Sequence, residues 1–566
     1  MPELNWSLIQ ALAWIKIIAG LSLAMWLFLI YKKPRPMYLG ASIGLGLASF
    51  YAVMSKPLAK MFWGNNGDEI FILTFLAKVI SGQPFHDFFY NWLPPFYPPL
   101  YFWLAGLAGK LLGLTAVGAA KLGVIAVLIS WFLVLGIGLK IYWIKIREAE
   151  WGETWMWLGY AAVFLIMIDF NDLLIKPYEA LSALLGVAWI ALLNKTLSDG
   201  HWTKRHYAFF GIAGGLLILT YYFWWLIFIS ALIVLLRFQS RPFVALKRLL
   251  VLGVIVVVVS SIYFGPLFFS WWQYGSENWQ ARFFHWSHLV SVLPWQILSW
   301  TGLLWLMGWL LAWRYRTVPV VRTALVVALG SYLYYFANLF LLVGRGLSFQ
   351  AQKPFPLLPA AALALAIGYG AVELWHHKIA NWSPKRRQLL VLAVVLLYWS
   401  LLPWHGFIDN KEVLTQLGKD MVVPTAKDLA EKIKVAVPNY EQRTWLSSNL
   451  PELGAYLPLS YMVAYNPHFS HQAVKYSDRL ASLKLAVNAK TPEDFLKELD
   501  KIKIGQADAL LLYKSGDQKN YPLFFWQDSF PNGGRELIVN LPSNLIDEKN
   551  WQKIEINSEW VVFIKK

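Results

Sequence analysis

Long apolar stretches recur between residues 8 and 404 of the chain. A stretch of about twenty apolar residues with few charges is long enough to cross a bilayer as a helix. Twelve such stretches can be placed, so the sequence predicts a polytopic α-helical membrane protein. The predicted spans are 8–30, 38–55, 122–144, 155–169, 177–194, 206–219, 221–237, 249–269, 292–313, 321–343, 355–376 and 388–404.

Composition supports a membrane protein and excludes other classes. Hydrophobic residues make up 58% of the chain and charged residues 15%, and the mean hydropathy is +0.47. Cysteine is absent, which excludes disulfides, thiol catalysis and cysteine-bound metals. The first span lacks a small-residue cleavage site, so we interpret it as a retained helix rather than a signal peptide. We interpret the net charge of +17 as a topology signal with anionic lipid contact, not as a nucleic-acid surface.

Basic residues predict which side of the membrane each loop faces. Lys and Arg cluster in every second loop, and loops of that kind remain in the cytoplasm. The amino terminus and the other set of loops are then predicted to face outward. These outward loops are 56–121, 169–176, 270–291, 344–353 and all residues after 404.

Two apolar stretches need a special interpretation for this alternation to hold. Residues 99–114 could span the membrane, but a span there would place every later basic cluster outside. We therefore expect an interfacial or re-entrant helix that returns to the outer face. The stretch 206–237 is expected to form two short helices that meet near Thr220–Tyr222.

The sequence changes character after residue 404. Residues 405–566 carry dense charge, turn signals and alternating strands such as Ala507–Tyr513. Thr491–Asp500 is predicted to be an amphipathic helix with Thr491 as its N-cap. A segment of this length can bury a core of its own. The sequence therefore predicts a transmembrane domain, 1–404, and an outer α/β domain, 405–566.

An acidic pair, Asp68 and Glu69, lies in the first outer loop, where an unpaired carboxylate costs free energy. One interpretation is structural, because Gly67-Asp68 before an apolar run fits a helix N-cap. The other is a general base that deprotonates an acceptor hydroxyl while a sugar is displaced from an activated donor. Both can hold, since a helix start positions a carboxylate rigidly. Asp68 is the first candidate for this base and Glu69 the second.

Aromatic residues are concentrated in the same loop, beside two pairs of prolines. Aromatic side chains gather at membrane interfaces regardless of function. Rigid aromatic faces next to polar groups would also suit a sugar ring and a lipid tail, and the prolines fix the backbone on either side. The candidate substrate-binding aromatic residues are Trp92, Phe96, Tyr97, Tyr101 and Trp103.

A second acidic cluster, Asp169-Phe-Asn-Asp172, lies at the predicted outer end of a span. One carboxylate at a helix end is unremarkable. Two acidic clusters on one face of the membrane predict a shared site, in which Asp172 orients the substrate or assists the base.

Cations are few on the predicted outer face, apart from the large loop and the carboxyl-terminal domain. They could bind the phosphate of a lipid carrier, because a fixed positive charge stabilises a departing phosphate. The alternative is that they only reach lipid headgroups. Phosphate contact is preferred for Arg345, which lies between two glycines, and for Lys353. The whole set is Lys121, Lys176, Arg282, Arg345 and Lys353.

Histidines give weaker signals. His285 and His288 are spaced to share a helix face and could bind metal, but no clear carboxylate accompanies them. The sequence therefore indicates no metal site and no certain cofactor, but it does not exclude a requirement for a divalent metal ion. His468, like His471, could contact an acceptor or could simply lie on the surface. No phosphate-binding glycine loop, His-Glu-x-x-His pattern or nucleophile elbow is present, which disfavours nucleotide hydrolysis and common protease chemistry.

The chain resembles the galactan arabinofuranosyltransferase family of mycobacteria and corynebacteria, within the GT-C membrane glycosyltransferases. The resemblance rests on Gly67-Asp68-Glu69, on Pro94-Pro-Phe-Tyr-Pro-Pro99 and on Asn466-Pro-His-Phe-Ser-His-Gln-Ala473. It implies transfer of arabinofuranose from a decaprenyl-phosphate carrier to a cell-wall galactan outside the membrane. It also implies that Asp68 is the essential loop carboxylate and that 94–103 forms a wall of the active site.

These observations predict an inverting glycosyltransferase that uses a polyprenyl-phosphate sugar donor and a cell-envelope glycan acceptor. It would act at the outer face of a bacterial plasma membrane, with Asp68 as general base. One alternative is a transporter or flippase of lipid-linked saccharides, and another is a non-catalytic, glycan-binding protein of envelope assembly. The acidic residues lie at helix ends rather than in mid-span, which disfavours a transporter.

Overall fold

A computed structural model of the protein describes most of the chain. It covers residues 6–31, 36–56, 58, 61, 67–143, 167, 170–198, 202–278, 299–355, 357–379, 381–400, 425–514, 519–528 and 534–566. The described part is almost entirely helical up to residue 400, and mixed helix and sheet from residue 425 onward.

Helices build the first part of the chain, because an apolar segment in lipid must satisfy its backbone hydrogen bonds within itself. The helix Leu358–Leu374 continues into a π-helical turn, Trp375–Ile379. The helices are α1 (Trp6–Tyr31), α2 (Pro36–Ser55), α3 (Gly67–Ile80), α4 (Leu100–Leu111), α5 (Ala116–Trp143), α6 (Phe170–Ile175), α7 (Pro177–Ser198), α8 (Lys204–Thr220), α9 (Phe223–Leu236), α10 (Pro242–Tyr274), α11 (Trp300–Arg314), α12 (Pro319–Arg345), α13 (Leu358–Leu374) and α14 (Pro384–Ser400).

Five helices in the described ranges are long and apolar enough to cross a membrane. They are α1, α7, α10, α12 and α13 with its π-helical end. A sixth span results if α4 and the first part of α5 are counted together, although the pair is bent by 118°. Helices α2 and α9 are apolar but shorter. The predicted polytopic helical membrane protein is confirmed, whereas the count of twelve spans and the side that each loop faces stay predictions.

The two stretches that needed a special interpretation have different outcomes. Residues 206–237 form two helices as predicted, since α8 ends at Thr220 and α9 begins at Phe223. The break between α4 and α5 fits either a broken span or a re-entrant segment, so the return to the outer face stays a prediction. The predicted span 155–169 falls, except for one residue, outside the described part of the chain.

Small residues allow neighbouring helices to approach closely. A Cβ built on Gly330 of α12 would lie 2.6 Å from backbone atoms of Ala231 in α9. A Cβ on Gly44 of α2 would lie 3.1 Å from the backbone of α5. Such contacts matter in lipid, where helices associate through close packing rather than through the hydrophobic effect. Helices α9 and α12 both pack on α7, which carries part of the site described below.

The carboxyl-terminal part contains a five-stranded mixed sheet and a separate two-stranded hairpin. The elements are β1 (Thr444–Leu446), β2 (Ser460–Tyr461), β3 (Ala509–Tyr513), β4 (Asn520–Asp528), β5 (Gly534–Pro542), β6 (Trp551–Glu555), β7 (Trp560–Lys565), α15 (Thr425–Ala436), α16 (Tyr476–Val487) and α17 (Pro492–Asp500). The sheet has the strand order β2-β1-β3-β7-β6, and the hairpin consists of β4 and β5. Strand β1 pairs in parallel with β2 and β3, whereas β7 pairs antiparallel with β3 and β6.

Local predictions for this region are confirmed. Strand β3 lies within the predicted strand 507–513, and α17 matches the predicted helix. Thr491 is its N-cap, because the Thr491 hydroxyl accepts the Asp494 backbone N–H at 3.1 Å. The chain therefore has an α/β region at its carboxyl end, while the predicted boundary at residue 404 falls outside the described residues.

Asp87 folds the aromatic loop that follows α3. Its carboxylate accepts backbone N–H groups from Phe89 at 2.9 Å, Tyr90 at 3.1 Å and Phe96 at 3.1 Å. The side chain is fully buried, so these bonds replace the water that the carboxylate has lost. The loop is thereby held in one conformation.

The folded loop also attaches the helical bundle to the sheet region. The Phe89 carbonyl accepts the Tyr461 backbone N–H at 2.7 Å. The buried Arg479 guanidinium lies 5.3 Å from the ring centre of Trp92 and donates to the Met462 carbonyl at 3.0 Å. The loop is thus bonded to the carboxyl-terminal region through both backbone and side-chain contacts.

Gly330→Ala is expected to lower the melting temperature of the protein in detergent, because the new methyl group would overlap the α9 backbone. Overpacking of this kind costs about 1–3 kcal/mol. Gly344→Ala on the same helix is the matched control, since nothing lies within 4 Å of its Cβ position. Thermal unfolding followed by circular dichroism compares the two variants. Equal melting temperatures would contradict the close approach of α9 and α12.

Candidate active site

Asp68 lies in the first turn of α3, near the junction of the bundle and the sheet region. The helix begins at Gly67, so Asp68 is inside the helix and is not its N-cap, which corrects the structural interpretation of this residue. The partial positive charge of a helix N-terminus stabilises a carboxylate at that position. The side chain is 26% exposed, so a substrate can reach it.

Lys176 forms an ion pair with Asp68. Its Nζ lies 2.9 Å from Asp68 Oδ2. The residue occupies the turn between α6 and α7, and its side chain is also partly exposed. Two segments that are far apart in the sequence therefore meet through opposite charges.

A second ion pair joins Glu179 and Lys353. The Lys353 ammonium lies 2.7 Å from one Glu179 carboxylate oxygen and 2.9 Å from the other. Glu179 belongs to the first turn of α7, whereas Lys353 lies in the segment between α12 and α13. Both side chains are largely buried, which strengthens their attraction.

The two ion pairs belong to one electrostatic cluster. Burial acts to raise the pKa of Asp68, but Lys176 first, and then Lys353 and His468, outweigh it and lower this pKa below its usual value. Burial lowers the pKa of Lys353, with Lys176 acting in the same direction against Glu179 and Asp68. Asp68 is therefore ionised at neutral pH, beside two ammonium groups.

Aromatic rings form one wall of this cluster. Tyr97 stacks on Phe71 of α3 with ring centres 4.4 Å apart, and Phe71 stacks on Phe469 at 5.6 Å. Tyr178 of α7 lies edge-on to Tyr97 at 6.3 Å. The predicted residue Tyr97 thus lies in the cluster, between the loop, α3 and α7.

An apolar groove begins beside the second ion pair. The Lys353 ammonium lies 5.8 Å from the ring centre of Tyr221, which stacks on Tyr222 at 6.2 Å. Tyr222 lines a groove of about 450 Å³ between α7, α8, α9 and α10. Its other lining residues are apolar apart from Gly253 and the indole N–H groups. A path of contacts therefore leads from the charged cluster to an apolar surface of the bundle.

Glu69 and Lys121 form a different cluster. Glu69 is 1% exposed, and its carboxylate accepts the Met61 backbone N–H at 2.7 Å. Lys121 interacts electrostatically with Glu69 and donates to the carbonyls of Ser55 and Leu58 at 2.5 Å. These contacts tie backbone segments together, so Glu69 and Lys121 have structural roles.

The remaining predicted aromatic residues mostly hold the loop. Trp103 Nε1 donates to the Pro84 carbonyl at 2.7 Å. Trp92 packs so closely on Gly505 that a Cβ there would lie 2.1 Å from the indole ring. Both tryptophans are therefore anchors between elements.

Phe96 and Tyr101 lie behind the wall of the cluster. The Phe96 carbonyl accepts the Tyr263 hydroxyl at 2.5 Å. Tyr101 is buried, with its ring centre 6.0 Å from that of Tyr178. Both residues support the aromatic wall from the side of the bundle.

Several predicted residues are not brought to the cluster by any described contact. Arg345 is exposed at the carboxyl end of α12, and within the described residues no contact joins it to either ion pair. Asp172 lies in α6, but its side chain falls outside the description. Four further candidates lie wholly outside the described part of the chain: Asp169, Arg282, His285 and His288.

Glu179 and His468 show what sequence reasoning could and could not find. Glu179 was missed as a site residue, although Pro177 at the helix start and a carboxylate in the first turn are a recognisable pattern. His468 was predicted and lies near enough to Asp68 to influence its pKa. Among the described residues, no group of three or more His, Asp or Glu side chains is arranged to hold a metal ion.

Comparison with known proteins identifies a family match. The family model described as "Arabinofuranosyltransferase N terminal" matches residues 5–399. Two proteins named galactan 5-O-arabinofuranosyltransferase, from Mycobacterium tuberculosis strains CDC 1551 / Oshkosh and ATCC 25618 / H37Rv, are each 24% identical over 588 residues. These alignments cover 97% of this chain and 88% of each relative.

Solved structures with a similar overall path include ArnT from Cupriavidus metallidurans. The apo structure covers 91% of this chain and 96% of its own, with 16% identity and a TM-score of 0.48. The structure bound to undecaprenyl phosphate covers 93% of this chain and 97% of its own, with 13% identity and the same TM-score of 0.48.

Lys176→Met is expected to raise the pH at which Asp68 takes up a proton. Lys176 lowers the pKa of Asp68, and burial, which acts in the opposite direction, remains when Lys176 is removed. Infrared difference spectra recorded across a pH titration would follow the carboxyl band. The band is assigned by its loss in the Asp68→Asn protein, and an unchanged midpoint in Lys176→Met would contradict the ion pair.

Proposed function

The chain belongs to the arabinofuranosyltransferase family, and from that membership we propose that it transfers arabinofuranose from a polyprenyl-phosphate donor to a cell-envelope glycan. The transfer takes place at the outer face of a bacterial plasma membrane. One observation carries the proposal: the Asp68 carboxylate and the Lys176 and Lys353 ammonium groups share one partly open site beside an apolar groove.

Asp68 is the general base of the proposed reaction. Its carboxylate is ionised and accessible, as a base must be before it removes a proton from an acceptor hydroxyl. The hydroxyl oxygen then forms a bond to the anomeric carbon, while the bond from that carbon to the phosphate oxygen breaks. The proton remains on Asp68, the electron pair leaves with the lipid phosphate, and attack from the opposite face inverts the anomeric carbon.

Lys176 and Lys353 bind the donor phosphate in this proposal. Ammonium groups that are fixed before the reaction stabilise the charge that develops on a departing phosphate. Each is held by a carboxylate in the absence of substrate, Lys176 by Asp68 and Lys353 by Glu179. An incoming phosphate would compete for Lys176 and thereby release Asp68 from its ion pair.

The polyprenyl chain of the donor occupies the apolar groove. Contacts run from Lys353 through Tyr221 to Tyr222, which lines the groove, so phosphate and hydrocarbon would be bound at adjoining places. A groove with an almost wholly apolar lining can hold a hydrocarbon chain through close packing. The activity named for the two mycobacterial relatives supports arabinofuranose as the sugar and a galactan as the acceptor.

Asp68→Asn is expected to reduce transfer by a factor of about 10²–10⁴, because an amide cannot accept the proton. Glu69→Gln is the matched comparison, since its amide oxygen can still accept the Met61 N–H and it lies in the other cluster. Transfer is measured with radiolabelled polyprenyl-phosphate arabinofuranose and a neutral galactan oligosaccharide. Equal losses of transfer activity in the two variants would contradict the role of Asp68 as the general base. Absence of transfer from any of a panel of polyprenyl-phosphate sugars would refute the donor class.

Gly253→Phe is expected to weaken the use of long-chain donors, because a side chain at this lining position projects into the groove. The KM for a decaprenyl donor should rise, whereas the KM for a donor with a ten-carbon chain should change much less. Val258→Phe on the same helix is the control, since Val258 is 65% exposed and does not line the groove. A similar change for both chain lengths would place the hydrocarbon elsewhere.

A further inference from the structure

An open cleft of about 580 Å³ is lined by the start of α3 and by the carboxyl-terminal region. Gly67 and Ile70 of α3 contribute one wall, and the β4–β5 hairpin contributes the other. Gly67 directly precedes Asp68, so the cleft opens beside the candidate base. The cleft shares no lining residue with the apolar groove, whose lining comes from α7 to α10.

Trp526 gives the cleft an exposed and rigid aromatic face. Its side chain is 43% exposed, yet the indole packs so closely on Gly534 of the paired strand that a Cβ there would lie 2.0 Å from the ring. The Trp526 backbone N–H donates to the Tyr465 carbonyl at 2.7 Å, and Tyr465 also lines the cleft. A fixed aromatic face of this kind packs well against the C–H face of a sugar ring.

The charged side chains that line the cleft are acidic. Glu452 is half-buried and Glu536 is exposed, and both line the cleft. No lysine or arginine from the described part of the chain lines it. Carboxylates accept hydrogen bonds from hydroxyl groups and repel anions. The cleft therefore suits a neutral, hydroxyl-rich ligand, in contrast to the cationic cluster around Lys176 and Lys353.

Two asparagines make the cleft walls rigid and connect them to the candidate active site. Asn449 donates to the Pro522 carbonyl at 2.6 Å and accepts the Phe524 backbone N–H at 3.2 Å, which fixes β4. Asn466 accepts the His468 backbone N–H at 2.8 Å, and His468 in turn influences Asp68. The wall is thus shaped before any ligand arrives, which reduces the entropic cost of binding.

We propose that this cleft binds the neutral glycan acceptor. Trp526 is the platform for one sugar ring, and Glu452 and Glu536 accept hydrogen bonds from sugar hydroxyls. A glycan bound there passes Gly67 and presents a hydroxyl group to Asp68. The inference rests on the proposed function and adds to it the location and chemical class of the acceptor subsite.

Trp526→Ala tests the cleft through the two substrates separately. The KM for a neutral galactan oligosaccharide should rise about tenfold, because the ring platform is lost. The KM for the polyprenyl-phosphate donor should stay unchanged, since the donor site lies around Lys176 and Lys353. Trp382→Ala is the matched control, because Trp382 is also 43% exposed. It follows the carboxyl end of α13, whereas Lys353 precedes the amino end of that helix. Equal acceptor KM values for the two variants would overturn the proposal.

Direct binding separates this inference from the proposed reaction. The Asp68→Asn protein is titrated by calorimetry with the neutral galactan oligosaccharide and with the same oligosaccharide oxidised to carry carboxylates. Tighter binding of the neutral form, weakened by Trp526→Ala, supports the cleft even if no donor is ever found to react. Failure of the neutral oligosaccharide to bind, or binding that Trp526→Ala leaves unchanged, rejects the cleft whether or not transfer is observed.

Discussion

Mutual neutralisation of charge at the starts of α3 and α7 is the constraint on which the candidate site depends. A carboxylate or ammonium group beside an apolar bundle loses hydration, and the loss is tolerable only if an opposite charge replaces the water. Asp68 with Lys176 and Glu179 with Lys353 satisfy this condition. Because the four residues come from three segments, around Asp68, around 176–179 and around Lys353, the same contacts also fix those segments relative to one another.

The aromatic loop after α3 couples this charged site to the carboxyl-terminal region. Its residues have different roles, because Trp92 and Trp103 anchor the loop, whereas Tyr97 lines the site. Asp87 holds the loop backbone from inside through three N–H groups. The position of Tyr97 beside Asp68 is therefore a consequence of contacts made elsewhere in the loop, and the loop is as much a structural joint as a binding surface.

Sequence reasoning found much of the fold class and part of the site, for physical reasons that differ by residue. Apolar length and turn chemistry are local properties, so the helices, the Thr491 cap and the conspicuous Asp68 could be predicted. Glu179 could not be assigned to Lys353, because 174 residues separate them and only the packed bundle brings them together. Arg345 and Lys353 were equivalent candidates in the sequence, because both are cations in the segment around the end of α12. The sequence pattern does not show which of two such cations packs against the bundle, and in the structure Arg345 is exposed.

His468 lies late in the sequence, so the site around Asp68 can be completed only late in synthesis. It acts on Asp68, which precedes it by 400 residues, and the segment that carries it packs on α3 through Phe469 and Phe71. The ion pairs near the membrane can form once α13 has been inserted, but the region around His468 is synthesised only afterwards. A nascent chain can therefore form these ion pairs before the surroundings of Asp68 are complete, and the site is finished only when the carboxyl-terminal region has packed on α3.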